Sequence, residues 1–133
     1  MIYMLDTNIC SAYLKRPGNL AHRFTQHSGG LAIPSIVLAE LYTWAFRRPD
    51  PNLLLSAIEN DLLQDLSVVV FDAECARQFG RLRAALMAVG TVVNPVDLMI
   101  ASVTLTHEAT LVTHNVRHFE VIPGLVVEDW MAA

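Results

Sequence analysis

The chain has 133 residues, of which 53 % are hydrophobic and 17 % charged, and a formal net charge of −4. That length suits one domain able to bury about two thirds of its unfolded surface. No apolar run reaches the ~18 residues that crossing a bilayer takes, and the acidic balance excludes a broadly basic nucleic-acid surface, leaving only local basic patches.

The apolar surplus must be buried in a core or an interface, which predicts an oligomer or a partner lying in an apolar groove. The amino terminus lacks the basic stretch and small-residue cleavage site of a secretory signal. Two widely spaced cysteines, Cys10 and Cys75, suit a reducing compartment and small core positions rather than a disulfide or zinc framework. The expected location is cytoplasmic, with no membrane partner.

Ile2-Tyr3-Met4-Leu5 reads as a strand buried on both faces, the pattern of a central parallel strand. It stops on Asp6-Thr7-Asn8, residues that favour turns and helix caps. Ile9, Ala12 and Tyr13 have helical spacing, closed by Lys15-Arg16-Pro17-Gly18. Asn19 is placed to cap a second short helix through about His27, ended by Ser28-Gly29-Gly30. Leu31-Ala32-Ile33 is a short strand, and Pro34-Ser35 starts a helix with Val37, Leu38, Leu41, Trp44 and Ala45 as its buried stripe.

Arg47-Arg48-Pro49-Asp50-Pro51 breaks the chain. Leu54, Ile58, Leu62 and Leu66 mark the next helix, and Val68-Val69-Val70-Phe71 a third strand. Asp72 is an N-cap for a long helix to about Ala88, with Ala76, Phe79, Leu82 and Leu86 inward and Gly90 ending it. Asn94-Pro95 opens another helix by the cap-then-proline arrangement, running to about His107. Thr110-Leu111-Val112-Thr113 is the fourth strand and Leu125-Val126-Val127 the fifth. Alternation of this kind predicts one α/β domain, a central parallel sheet of four to five strands flanked by helices.

Ligands bind at the carboxyl ends of parallel strands, so three carboxylates draw interest. Asp6 ends the first strand, although it would also serve as a simple helix cap. Glu40 lies beside the apolar stripe of its helix, where partial burial is costly unless a cation is paired with it; an exposed helix-forming Glu is the alternative. Asp97 falls at the third position of its helix. The dipole there favours negative charge by ~0.3–1 kcal/mol, but the following Leu98-Met99-Ile100-Ala101 packs that helix deeply. Asp6 and Asp97 can meet across the sheet edge, where like charges repel unless a cation intervenes. Hard oxygen donors suit Mg²⁺ or Mn²⁺ rather than zinc. Asn8, Thr113 and Asn115 are polar side chains at the same edge, suited to hold a carboxylate, a water or a phosphate, or merely to form turns. The five histidines show no i,i+4 pair with an acidic third ligand, and no phosphate-cradling glycine loop or serine elbow is present.

Met4-Leu5-Asp6-Thr7-Asn8, Ser35-Ile36-Val37-Leu38-Ala39-Glu40-Leu41, Asp97-Leu98-Met99-Ile100-Ala101 and Leu111-Val112-Thr113-His114-Asn115-Val116-Arg117-His118-Phe119 together resemble the successive motifs of PIN-domain proteins. The closing Gly124-Leu125-Val126-Val127-Glu128-Asp129-Trp130 resembles the end of the VapC branch, the toxins of type II toxin–antitoxin pairs. The resemblance covers essentially all of residues 1–133 as a single PIN domain. It implies a Mg²⁺- or Mn²⁺-dependent endoribonuclease cutting RNA, commonly tRNA, and silenced by a VapB-like antitoxin.

By this resemblance Asp6, Glu40 and Asp97 match the acidic metal-binding triad. Asn8, Thr113 and Asn115 take supporting or phosphate-contacting roles. Asn115 stands where a fourth acid is often found, which leaves one- against two-metal catalysis open. Lys15, Arg16, Arg47, Arg48, Arg81, Arg83 and Arg117 are candidates to hold RNA. Tyr13, Leu14, Tyr42, Trp44 and Phe46 are candidates for a homodimer interface and an antitoxin groove, in a toxin–antitoxin hetero-oligomer. A catalytically silent binding module, a small-molecule phosphatase and a DNA nuclease are the competing readings.

Overall fold

The computed structural model describes residues 1–132, apart from the side chain of Asn19. Five strands form one sheet in the order β3-β2-β1-β4-β5, every neighbouring pair parallel. They are β1 (Tyr3–Leu5), β2 (Leu31–Pro34), β3 (Ser67–Val69), β4 (Thr110–Val112) and β5 (Val127–Glu128). The central position of β1 follows from its composition. Met4 and Leu5 are fully buried, as a strand covered on both faces requires.

Parallel strands need crossovers, and helices supply them. They are α1 (Thr7–Lys15), α2 (Gly18–Gln26), α3 (Ser35–Phe46), α4 (Asn52–Ser56), α5 (Ala73–Ala88), α6 (Pro95–Thr106) and α7 (Val116–Phe119). Helix α4 runs into a wider π-helical turn, Ala57–Leu62. The spacing Leu54, Ile58, Leu62 is four residues each time, which drifts around a 3.6-residue helix. The wider turn reduces that drift, and Ile58 and Leu62 both end buried.

Local signals set the starts of α5 and α6. Asp72 accepts from the Cys75 N–H at 3.0 Å. Asn94 accepts from the Val96 N–H at 2.8 Å with Pro95 in the first turn. Elsewhere tertiary contacts shift what the pattern predicts. Helix α2 begins at Gly18, after Pro17, and the capping role expected of Asn19 concerns a side chain outside the described residues. On α5, Cys75, Leu82 and Leu86 are buried, Phe79 is half-buried and Ala76 faces outward. Edge strands are bounded by their partners. β3 covers only Ser67–Val69 because β2 offers it three partners, leaving Val70 exposed. Likewise β5 is Val127–Glu128, matched to Leu111 and Val112 of β4.

The core joins Leu5, Ile9, Ile33, Leu41, Ile100, Leu111 and Phe119, each almost or entirely inaccessible. Cys10 and Cys75 are buried free thiols. Among the described residues no helix is long and apolar enough to cross a membrane.

Candidate active site

The site begins where β1 ends. The Asp6 N–H still bonds the Val112 carbonyl of β4 at 2.9 Å, so the backbone is tied into the sheet until the residue that carries the carboxylate. Asp6 is also the N-cap of α1, its Oδ1 accepting the Thr7 N–H at 2.7 Å. The cap and the site are therefore one residue using two oxygens. Oδ2 accepts from Thr113 Oγ1 at 2.8 Å and from Asn8 Nδ2 at 3.3 Å. Asp6 is only 4 % exposed.

Thr113 and Asn8 hold this carboxylate as a closed network. Thr113, fully buried just beyond β4, donates its one hydroxyl proton to Asp6. It accepts from Asn8 Nδ2 at 3.3 Å and the Asn115 N–H at 3.0 Å. Asn8 Oδ1 accepts the His114 N–H at 3.0 Å. A hydroxyl has one proton and two lone pairs, so Thr113 is saturated and Asp6 has little rotational freedom. The side chain of Asn115 is exposed and does not cap α7; its backbone, not its amide, joins the network.

Glu40 stands on α3, one position before the buried Leu41. It is exposed rather than partly buried, because α3 turns Val37, Leu41 and Ala45 inward and leaves Glu40 at the rim. Thr7 Oγ1 donates to Glu40 Oε1 at 2.5 Å, pinning it beside the start of α1. Asp97 is half-buried in the first turn of α6, where the Asn94 cap fixes the helix start. Its Oδ2 faces His118 Nδ1 at 3.5 Å, and His118 is carried by the short helix α7 whose Phe119 is fully buried.

The electrostatics are those of a pocket short of positive charge. Burial raises the Asp6 pKa, partly offset by the hydrogen bonds from Thr113 and Thr7 and raised further by the charges of Asp97 and Glu40. Burial likewise raises Asp97, with His118 opposing and Glu40 adding to the rise. Among the described residues no Lys or Arg pairs with these carboxylates. Nor, as the side chains stand, do any three acidic, imidazole or thiol groups among the described residues already enclose an ion. Mutually repelling, desolvated hard oxygens suit a hard divalent cation. Buried Asp6 and half-buried Asp97, with the exposed Glu40 at the rim, are the side chains that could hold it.

The sequence pattern had no means of linking Thr7 to Glu40, or His118 to Asp97. Thr7 reads as a turn residue and α7 is too short for periodicity. The chain neighbours of Glu40 (Ala39, Leu41) and of Asp97 (Val96, Leu98) are apolar and give no hint of these partners. A second histidine contact, His114 Nδ1 to Asp129 Oδ2 at 3.0 Å, ties the end of β4 to the segment after β5.

A parallel sheet with acidic side chains at its carboxyl edge is the arrangement of a ligand-binding α/β domain, and the PIN-domain model matches residues 3–125 of this chain. The chain is 37 % identical to the tRNA(fMet)-specific endonuclease VapC of Salmonella typhimurium, covering 96 % of this chain and 97 % of that protein. It is 38 % identical to ribonuclease VapC2 of Rickettsia felis, with 98 % of each covered. The crystal structure of VapBC2 from Rickettsia felis bound to a DNA fragment from their promoter superposes with a TM-score of 0.91 at 36 % identity, over 98 % of this chain and 99 % of that one. This chain belongs to the PIN-domain family and, within it, to the VapC group. Nucleases of this family depend on a divalent metal.

Proposed function

We propose that this protein is the toxin of a type II toxin–antitoxin pair, an endoribonuclease that hydrolyses RNA phosphodiester bonds, with tRNA as its substrate class. Mg²⁺ or Mn²⁺ is the metal, and Asp6, Asp97 and Glu40 are the residues that hold it and carry catalysis. The observation that carries this reading is Asp6: a carboxylate buried on a central strand, immobilised by Thr113 and Asn8, and repelled by two further carboxylates with no basic partner among the described residues. When bound, a divalent ion lowers the pKa of a water and neutralises charge on the phosphoryl oxygens.

The chain's own residues do the rest. Thr113 and Asn8 hold Asp6 Oδ2 in one orientation, and Asp97 presents its carboxylate from a capped helix end. Glu40, exposed and pinned by Thr7, is free on its second oxygen to orient the attacking water. Asn115, exposed beside this group, is available to a substrate phosphate. A VapB-like antitoxin silences the protein by covering this edge, an Arg pairing with the acidic group as a bidentate cation would. The protein acts in the cytoplasm as a homodimer and in a hetero-oligomer with the antitoxin. Phe46, 65 % exposed at the end of α3, and Leu53, 84 % exposed after the turn, supply uncovered apolar surface for such contacts.

The test is to incubate purified protein with total RNA, with Mg²⁺, with Mn²⁺ and with EDTA, and to map the new RNA ends. Cleavage that needs metal, vanishes in Asp6→Asn and is suppressed by a co-expressed antitoxin is expected. Full metal-dependent cleavage by Asp6→Asn would overturn the assignment of the site.

A further inference from the structure

Asp97 faces a nitrogen base. His118 Nδ1 stands 3.5 Å from Asp97 Oδ2, and the two side chains line one cavity of about 310 Å³ together with Asn94 and Arg117. That separation is past the roughly 2.7–3.2 Å of a formed N–H···O bond. It matches two ligands of one ion. Donors each ~2.1 Å from a metal lie about 3.0 Å apart at a right angle and about 3.5 Å apart at roughly 110°. Among the described residues, His118 is the only Lys, Arg or His side chain within ion-pair distance of Asp6, Glu40 or Asp97. Its backbone is fixed, as a ligand requires: the His118 N–H donates to the Asn115 carbonyl at 3.0 Å, and the next residue, Phe119, is fully buried. The imidazole itself is exposed. The other histidine on this edge is committed elsewhere, since His114 Nδ1 bonds Asp129 Oδ2 at 3.0 Å, a carboxylate outside the acidic group.

We propose that His118 is a nitrogen ligand of the ion that Asp97 holds, and that it makes the site prefer Mn²⁺ to Mg²⁺. This rests on the metal-dependent reading of the acidic group and deepens it by naming the ion. Mg²⁺ is bound through oxygen and keeps several of its waters, so an imidazole adds little to its binding. First-row transition ions accept imidazole, and among them Mn²⁺ is the one suited to carboxylate and water for the rest of its shell. Zinc calls for more nitrogen or sulfur than one imidazole among carboxylates supplies. No three acidic, imidazole or thiol groups among the described residues enclose an ion. Water therefore fills the remaining positions, and the cavity has room for it.

The experiment loads metal-free protein with Mn²⁺ and records its electron spin echo, whose decay is modulated by a nitrogen bound at the ion. Loss of the free Mn²⁺ resonance on titration gives the affinity for Mn²⁺, and displacement by Mg²⁺ gives that for Mg²⁺. The wild type is expected to show nitrogen modulation and to bind Mn²⁺ more tightly than Mg²⁺. His118→Gln should lose the modulation and weaken Mn²⁺ at least roughly tenfold, the lower end of the range for lost partners of metal sites, with Mg²⁺ binding unchanged. His114→Gln should keep the modulation and both affinities. Mn²⁺ bound by the wild type without nitrogen modulation, modulation that survives in His118→Gln, or equal loss of both ions in that variant would overturn the role of His118 while the acidic site stands. If the wild type binds neither ion, the metal-dependent reading falls and the role of His118 with it.

Discussion

Thr113→Val tests whether the buried carboxylate is held as described. Valine keeps the shape and removes the hydroxyl, so Asp6 Oδ2 loses a donor at 2.8 Å. The same change takes an acceptor from the Asn8 amide at 3.3 Å and from the Asn115 N–H at 3.0 Å. A hydrogen bond to a charged group contributes about 1.5–3 kcal/mol, whereas the long Asn8 contact is weak and the Asn115 N–H lies near solvent that can replace its partner. The expected loss of folding stability at pH 7 without metal is therefore about 2–3 kcal/mol, dominated by Asp6.

The pH dependence follows by linkage. Burial sets the folded Asp6 and Asp97 above the ordinary 3.8. Folding thus favours their protonated forms, and the stability this lends is full below 3.8 and lost as pH rises through the raised values. Thr113 lowers Asp6, so its removal makes that decline steeper, and the difference between variant and wild type should shrink on acidification. Urea unfolding in EDTA at several pH values measures this. A loss below about 0.5 kcal/mol at pH 7, or one that does not change with pH, would refute the reasoning.

Asp6→Asn should act in opposite directions on activity and stability. RNA cleavage should fall by at least the roughly 10–100-fold seen for lost outer partners of metal sites. The metal-free protein should be stabilised at neutral pH, since a desolvated, repelled charge is gone; a thermal melt in EDTA reads the sign. Asn94→Ala removes the cap that fixes the first turn of α6 and should cost about 1 kcal/mol by denaturant titration, with reduced cleavage because Asp97 sits in that turn. Phe119→Ala empties a fully buried site and should cost about 3–5 kcal/mol, which urea unfolding would register. Mg²⁺ should raise the melting temperature of the wild type with the logarithm of its concentration above Kd, and leave Asp6→Asn unmoved.

The strands and long helices were legible because their signals are local. Met4-Leu5 is apolar on both faces of one strand; Asp72 and Asn94-Pro95 are caps that act within three residues. Where a boundary depended on a neighbour, the pattern ran too far or stopped short. Val70 belongs to an apolar run but extends past the last partner on β2. α7 is four residues long and carries no period to read. For Glu40 the apolar neighbours in sequence leave partial burial and full exposure both open. Helical geometry turns those neighbours to other faces and leaves the carboxylate at the rim.

By itself the sequence indicated the strands and the long helices, and it marked Asp6, Glu40 and Asp97 as candidate carboxylates with hard-oxygen chemistry. The elements follow from residue type and short-range spacing; the grouping of the three carboxylates is what the resemblance to the family implies. The tertiary structure alone decided the strand order, and with it which polar groups meet. Thr113 reaches Asp6 across 107 positions, Asn8 reaches Thr113 across 105, and Thr7 reaches Glu40 across 33. No periodicity or capping rule spans such separations. Only the pairing of β1 with β4, and the packing of α1 against α3, brings the hydroxyls and the amide to the carboxylates they hold.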